Sequence, residues 1–187
     1  MGRRIQQKAE TRARICVAAH TVFTTGDPQD ASIKAIASAA GVSPGTIYVH
    51  FPDRTALMLA AFEDELMVGM ADAWASLPGS DLRAQLLHLG GAALDWGMQR
   101  PKLAPLLLAA AIARPALALP KATVIEDVAR VFEIGQLRRM VRANLDSVSA
   151  AQAFVGIVAV AVSLPPARGR ESLPKLIDTL MGGLAVG

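Results

Sequence analysis

The chain has 187 residues, is 52% apolar but only 4% aromatic, and carries a formal charge of +3. That length and composition can fill a sizeable core of Ala, Val, Leu and Ile, which excludes a disordered chain. A single cysteine, Cys16, excludes an internal disulfide framework and a cysteine-rich zinc site.

The charge is unevenly spread. Residues 1–60 hold seven bases against four acids, whereas residues 61–187 hold twelve of each. Five of those bases, Arg3, Arg4, Lys8, Arg12 and Arg14, precede Ile15 and are opposed only by Glu10. Such a cluster suits a phosphate backbone, with a solvated helix face as the alternative. The polar, basic Gly2–Arg14 region is unlike a secretory signal peptide. The apolar runs Leu103–Pro120 and Ala150–Leu164 are interrupted by polar residues or proline and fall short of the roughly 20 residues that cross a bilayer. A cytoplasmic protein without a membrane span is expected.

Apolar spacings of three and four dominate and no segment alternates with period two, so the expected fold is all-α. The first helix is expected over Arg4–Thr24, with Ile15, Ala19, Val22 and Phe23 inward and Gly26-Asp27-Pro28 as its stop. Cys16 on this helix reads as a small buried apolar residue. Ser32 can cap a second helix that buries Ile33, Ile36, Ala37 and Ala40, and Gly41 suits its left-handed end. Ser43 then caps a third helix with Pro44 at its first position. Only about seven residues follow before Pro52, too few for a helix to be stable alone. Ile47 and Phe51 must therefore anchor it to its neighbours. Two short helices joined by a tight glycine turn describe a helix-turn-helix, whose second helix enters the DNA major groove.

Asp53 can cap a fourth helix from Arg54 to about Ala75, roughly 30 Å long, that would link this reader to the rest of the chain. A fifth helix is expected over Asp81–Gln99, with Leu82, Leu86, Leu89, Ala93 and Trp96 on one stripe, and a short one over Leu103–Ala113. The next runs from Ala122 to Arg142. Ser147–Leu164 is apolar almost all round, and Arg170–Val186 is amphipathic. These last two helices are expected to form a homodimer interface, with pairing inside one subunit as the alternative. Trp96, Met98, Leu107, Phe132 and Gln136 are candidates for the lining of an apolar ligand cavity, with core packing the alternative for each. His88, Asp95 and Gln99 share a face that reads as solvent-exposed. His20, His50 and His88 are scattered, and no nucleophile-elbow, zincin or nucleotide-loop motif occurs. No enzyme activity, metal or cofactor is expected.

The segment Ile33-Lys34-Ala35-Ile36-Ala37, then Ala40-Gly41-Val42-Ser43-Pro44-Gly45-Thr46-Ile47-Tyr48-Val49-His50-Phe51, then Asp53-Arg54 and Leu57, resembles the DNA-binding domain of TetR-type transcriptional repressors. The likeness covers about residues 12–62. It implies a helix-turn-helix domain over residues 1–52 and a larger helical effector-binding and dimerisation domain over 53–187. It also implies a double-stranded DNA operator and a small-molecule effector, largely apolar, that releases the homodimer from it. By the same likeness Tyr48 would bond a phosphate through its hydroxyl and His50 would face DNA. Ser32 and Ser43 would serve as caps and phosphate donors, and Thr46 offers a hydroxyl and a methyl. The family usually has lysine where this chain has Arg54, which keeps the charge for a phosphate contact. Pro44 and Gly45 are expected against DNA as well but leave few long side chains at the helix tip, so base readout is expected from Lys34, Thr46 and His50. The alternative is a small-molecule-binding helical protein whose helix-turn-helix no longer binds DNA.

Overall fold

The computed structural model describes residues 2–79, 81–113 and 124–184. Nine α-helices and no strand occur among them: α1 Gly2–Thr25, α2 Ile33–Ala40, α3 Pro44–His50, α4 Arg54–Ala75, α5 Leu82–Met98, α6 Ala104–Ala113, α7 Val124–Leu137, α8 Ser147–Ser163 and α9 Pro166–Leu184. The all-α expectation holds, and the caps are those the sequence suggested. Ser32 Oγ accepts from the Ala35 N–H, Ser43 Oγ from the Thr46 N–H and Asp53 Oδ1 from the Ala56 N–H, at 3.1, 3.1 and 2.9 Å. Each satisfies a donor that the helix start would leave without a partner.

Residues 1–65 and 66–187 form two compact units, and the division falls inside α4 rather than at the expected position after residue 52. The first half of α4 therefore completes the core of the first unit. Phe23 from α1, Ile36 from α2, Ile47 from α3 and Leu57 and Phe62 from α4 are all essentially inaccessible, as is Phe51. The seven-residue α3 is held by Ile47 and Phe51, which supplies from tertiary packing the stability that so short a helix lacks.

In the second unit α8 is central and packs against α5, α6, α7 and α9. Its Ala151, Phe154, Val155, Val158 and Ala161 are buried among them, while Ala153 and Val160 stay exposed. Gly169 lets α9 approach α8 closely, because a Cβ there would lie 2.5 Å from the Ala161 carbonyl oxygen. Two exposed ion pairs join α5 to α9: Arg83 grips Asp178 with Nε–Oδ1 2.5 Å and Nη2–Oδ2 3.0 Å, and Arg170 meets Asp95 at 2.8 Å.

Two helix ends differ from expectation by more than two residues. α9 begins at Pro166, four residues before the expected start, because a proline that cannot continue one helix is well suited to the first position of the next. α7 ends at Leu137 rather than Arg142, and Arg139 follows in the left-handed region at φ 58°. Residues 122, 123, 185 and 186 of the expected helices lie outside the described residues. No helix of the described residues is long and apolar enough to cross a membrane.

Candidate nucleic-acid interface

The turn between α2 and α3 is built by Gly41, at φ 64°, where the Val42 N–H donates to the Ala37 carbonyl at 3.0 Å. A side chain at that φ would strain the backbone by about 1 kcal/mol or more. The turn delivers α3 with Ile47 inward. Pro44, Gly45, Tyr48 and Val49 are exposed, with Tyr48 at 55% and Val49 at 71%. Ser32 and Lys34 are exposed on the preceding helix and its cap. The exposed start of α1 adds Arg3, Arg4 and Lys8 to the positive charge of this unit.

The sequence-predicted site residues do not all share that surface. Thr46 is half-buried, and its hydroxyl shares a 2.9 Å hydrogen bond with the Ser43 hydroxyl at the helix start. His50 is also half-buried, and its Nδ1 is enclosed with no hydrogen-bond partner. The ring sits beside Phe51, whose face carries the Arg12 guanidinium at 4.7 Å. Burial first, and then the positive charges of Lys8 and Arg12, push the His50 imidazole below its ordinary pKa of 6.5. A protonated ring would enclose an N–H with nothing to receive it, so the neutral form is favoured.

The stability of the free protein depends on pH for the same reason. A histidine with a depressed folded pKa stabilises the fold fully above its unfolded value and progressively less as pH falls below that value. The free chain should therefore lose stability as the pH drops from about 7.5 through 6.5 toward 5, and His50→Gln should remove that part of the loss. Urea midpoints of both chains across this range check it. Identical pH dependence in the two would show that His50 titrates as it does in the unfolded chain.

Arg54 occupies a different place from the one its charge suggested. Its Nε donates to the Ala31 carbonyl at 3.2 Å, and its Nη2 donates to the Gln29 carbonyl at 3.1 Å and to the Pro28 carbonyl. The guanidinium also lies 5.3 Å from the centre of the Phe23 ring. It gathers the carbonyls of the α1–α2 loop, groups that no helix ladder satisfies. A phosphate would have to compete with that arrangement. Sequence reasoning missed this role, because the loop carbonyls are 23 to 26 residues away and carry no sequence signal. It also missed Val49, which reads as a core residue by type.

Cys16 is half-buried, with the Arg12 Nη1 3.9 Å from its sulfur, and burial pushes its thiol pKa up, against the nearby Arg12 charge. A raised pKa makes for an inert thiol. Among the described residues no three His, Cys, Asp or Glu side chains converge on a point that would hold a metal ion.

The five candidate cavity residues of the second unit also separate. Phe132 is wholly buried, and Leu107 and Trp96 nearly so. Met98 is half-buried. Gln136 is committed elsewhere: its Nε2 donates to the carbonyls of Arg142, Ala143 and Leu145 at 3.3, 3.0 and 2.9 Å, tying down the turn after α7. Trp96 keeps its carbonyl on Arg100 Nη1 at 3.2 Å and its ring under that guanidinium at 4.7 Å, while its indole N–H is buried without a partner. His88 bonds Ser76 at 3.1 Å and Asp95 is paired with Arg170, so that half-exposed face of α5 tethers its neighbours.

Residues 15–61 match the family model described as bacterial regulatory proteins, tetR family. The HTH-type transcriptional regulator UidR of Escherichia coli K12 is 44% identical over 50 residues, which are 27% of this chain and 26% of the regulator. The match thus spans about a quarter of that curated relative. Among solved structures, the fatty acid degradation regulator FadR from Bacillus halodurans superposes with a TM-score of 0.61 at 19% identity, covering 92% of this chain and 98% of that one. A TetR-family regulator from Rhodococcus sp. superposes with a TM-score of 0.57 at 24% identity, over 92% and 99% of the two chains. These superpositions extend the fold likeness to nearly the whole chain.

Proposed function

We propose that this protein, whose residues 15–61 match the tetR family of bacterial regulatory proteins, is a cytoplasmic, homodimeric repressor released from its operator by a small, largely apolar effector. The observation that carries the reading is α3, a helix too short to stand alone that is anchored by Ile47 and Phe51 and turns Tyr48 and Val49 outward. A core helix would bury such residues. A reader helix exposes them, and dimers of this kind place two readers in successive major grooves about 34 Å apart.

Dimerisation is proposed through α8 and α9. Val148 at 44% and Val160 at 53% leave apolar surface on α8 that its neighbours in the same chain do not cover. Effector control follows the ordinary rule of linkage: a ligand shifts the DNA-bound population only by its differential affinity for the two conformations. α4 contributes residues to both compact units and is the covalent path between them.

The reading is tested with the full chain and duplex DNA flanking its own gene, by fluorescence anisotropy over a salt series. Lys34→Ala should flatten the log–log salt dependence by about one unit, as expected for one lost phosphate contact. Tyr48→Phe should weaken binding by about tenfold through loss of a hydrogen bond to a charged oxygen. Unchanged affinity and salt slope in a chain carrying both substitutions would count decisively against the proposal. A chain that binds no duplex at all would favour the alternative, a small-molecule binder with a silent helix-turn-helix.

A further inference from the structure

Resting on the DNA-binding reading above, we propose that Val49 is a specificity-determining residue that reads the C5-methyl group of a thymine in each operator half-site. The outward face of α3 is chemically sparse. Pro44 and Gly45 carry no polar side-chain group, the Thr46 hydroxyl is held by Ser43 at 2.9 Å, and the His50 ring has its Nδ1 enclosed. Tyr48 and Val49 are the two large side chains left in solvent. Tyr48 ends in a hydroxyl suited to phosphate. Val49 offers only methyl groups.

Its surroundings strengthen the assignment. Val49 stands one helical turn after Gly45, and helical side chains lean back over the turn that precedes them. A Cβ at Gly45 would meet nothing closer than the Ser43 Oγ at 3.7 Å, so internal packing does not require glycine there. Its backbone is not left-handed either, since Gly41 is the only described glycine with a positive φ. A glycine costs helix stability relative to alanine, and valine is a poor helix former. Neither residue serves the fold. Together they leave the surface beside the Val49 methyls open, with room for another molecule to approach. Scattered exposed apolar residues are ordinary on protein surfaces. This one lies on the seven-residue helix that the fold turns outward, beside Tyr48. The thymine methyl is the apolar feature that base edges present in the major groove, and apolar side chains are what contact it.

The experiment selects duplexes from a randomised pool with the full chain. It then replaces thymidine by deoxyuridine one position at a time in the enriched site, which deletes the methyl and keeps the base pairing. Affinities are measured by anisotropy for the native chain and for Val49→Ala, an exposed position where alanine preserves the fold. The native chain should lose about fourfold in affinity at one thymine of each half-site, the value of one buried methyl-sized group. Val49→Ala should bind the thymine and uracil duplexes equally. A pool that yields no enriched duplex sinks the DNA-binding reading and this inference with it. An enriched site without thymine, a flat scan, or a methyl effect that persists in Val49→Ala overturns this inference alone.

Discussion

Arg54→Ala is expected to destabilise the N-terminal unit by about 3 kcal/mol, the scale of one to two charge-assisted hydrogen bonds. Three loop carbonyls, those of Pro28, Gln29 and Ala31, depend on this one guanidinium. Their contributions do not add in full, because the three share a single donor group and the Gln29 carbonyl is exposed enough for water to replace the arginine. Loss of the contact with the Phe23 ring adds a smaller amount. Arg54→Lys should recover less than half, since an ammonium keeps the charge but cannot span three carbonyls with a planar fork. Urea unfolding gives the magnitude, and hydrogen exchange in residues 26–40 should quicken in the alanine variant. The measurement also separates two roles. A variant that keeps full stability but loses DNA affinity would return Arg54 to the phosphate contact that its charge suggested.

Phe132→Ala is expected to cost about 4 kcal/mol, within the range for deleting a large buried aromatic ring from a packed core. Phe132 has no accessible surface and lies on α7, one of the helices packed against the central α8. A ring that instead formed the wall of an open cavity would already lack neighbours on one side. Its removal would then cost only about 1 kcal/mol, because little packing is lost. Both tryptophans, Trp74 and Trp96, lie in the second unit, so their fluorescence during urea unfolding follows the relevant transition. The small value would make Phe132 a cavity residue; the large value assigns it to the core.

The two variants mark the boundary of what the sequence could reveal. Ser32, Gly41, Ser43 and Asp53 act through neighbours three or four residues away, and Pro44 through its own fixed φ at the helix start, so their roles as caps and turn were legible in the order of residues alone. The same holds for the inward face of α3, because apolar spacing encodes which side of a helix is buried. Reading stopped where a residue's partner is distant. Arg54 was read by its charge and its place at a helix start, yet its partners lie in the preceding loop. Gln136 was a candidate for a cavity lining, with core packing the alternative, and its amide ties down the turn after α7. His50 was expected on the DNA face, whereas its ring is turned partly inward beside Phe51.

The all-α class, the positions of the caps, the helix-turn-helix and the concentration of positive charge in the first third of the chain all follow from the order of residues. These are local or additive properties, carried by spacings of a few residues and by composition. Long-range packing settled the rest: which exposed side chains remain on α3, which cation serves a loop and which aromatic lies in the core. Those outcomes depend on contacts between segments far apart in the chain, where packing and the pairing of stray backbone groups override residue type. Val49 shows the difference most plainly: by type it belongs in a core, and the fold leaves it in solvent.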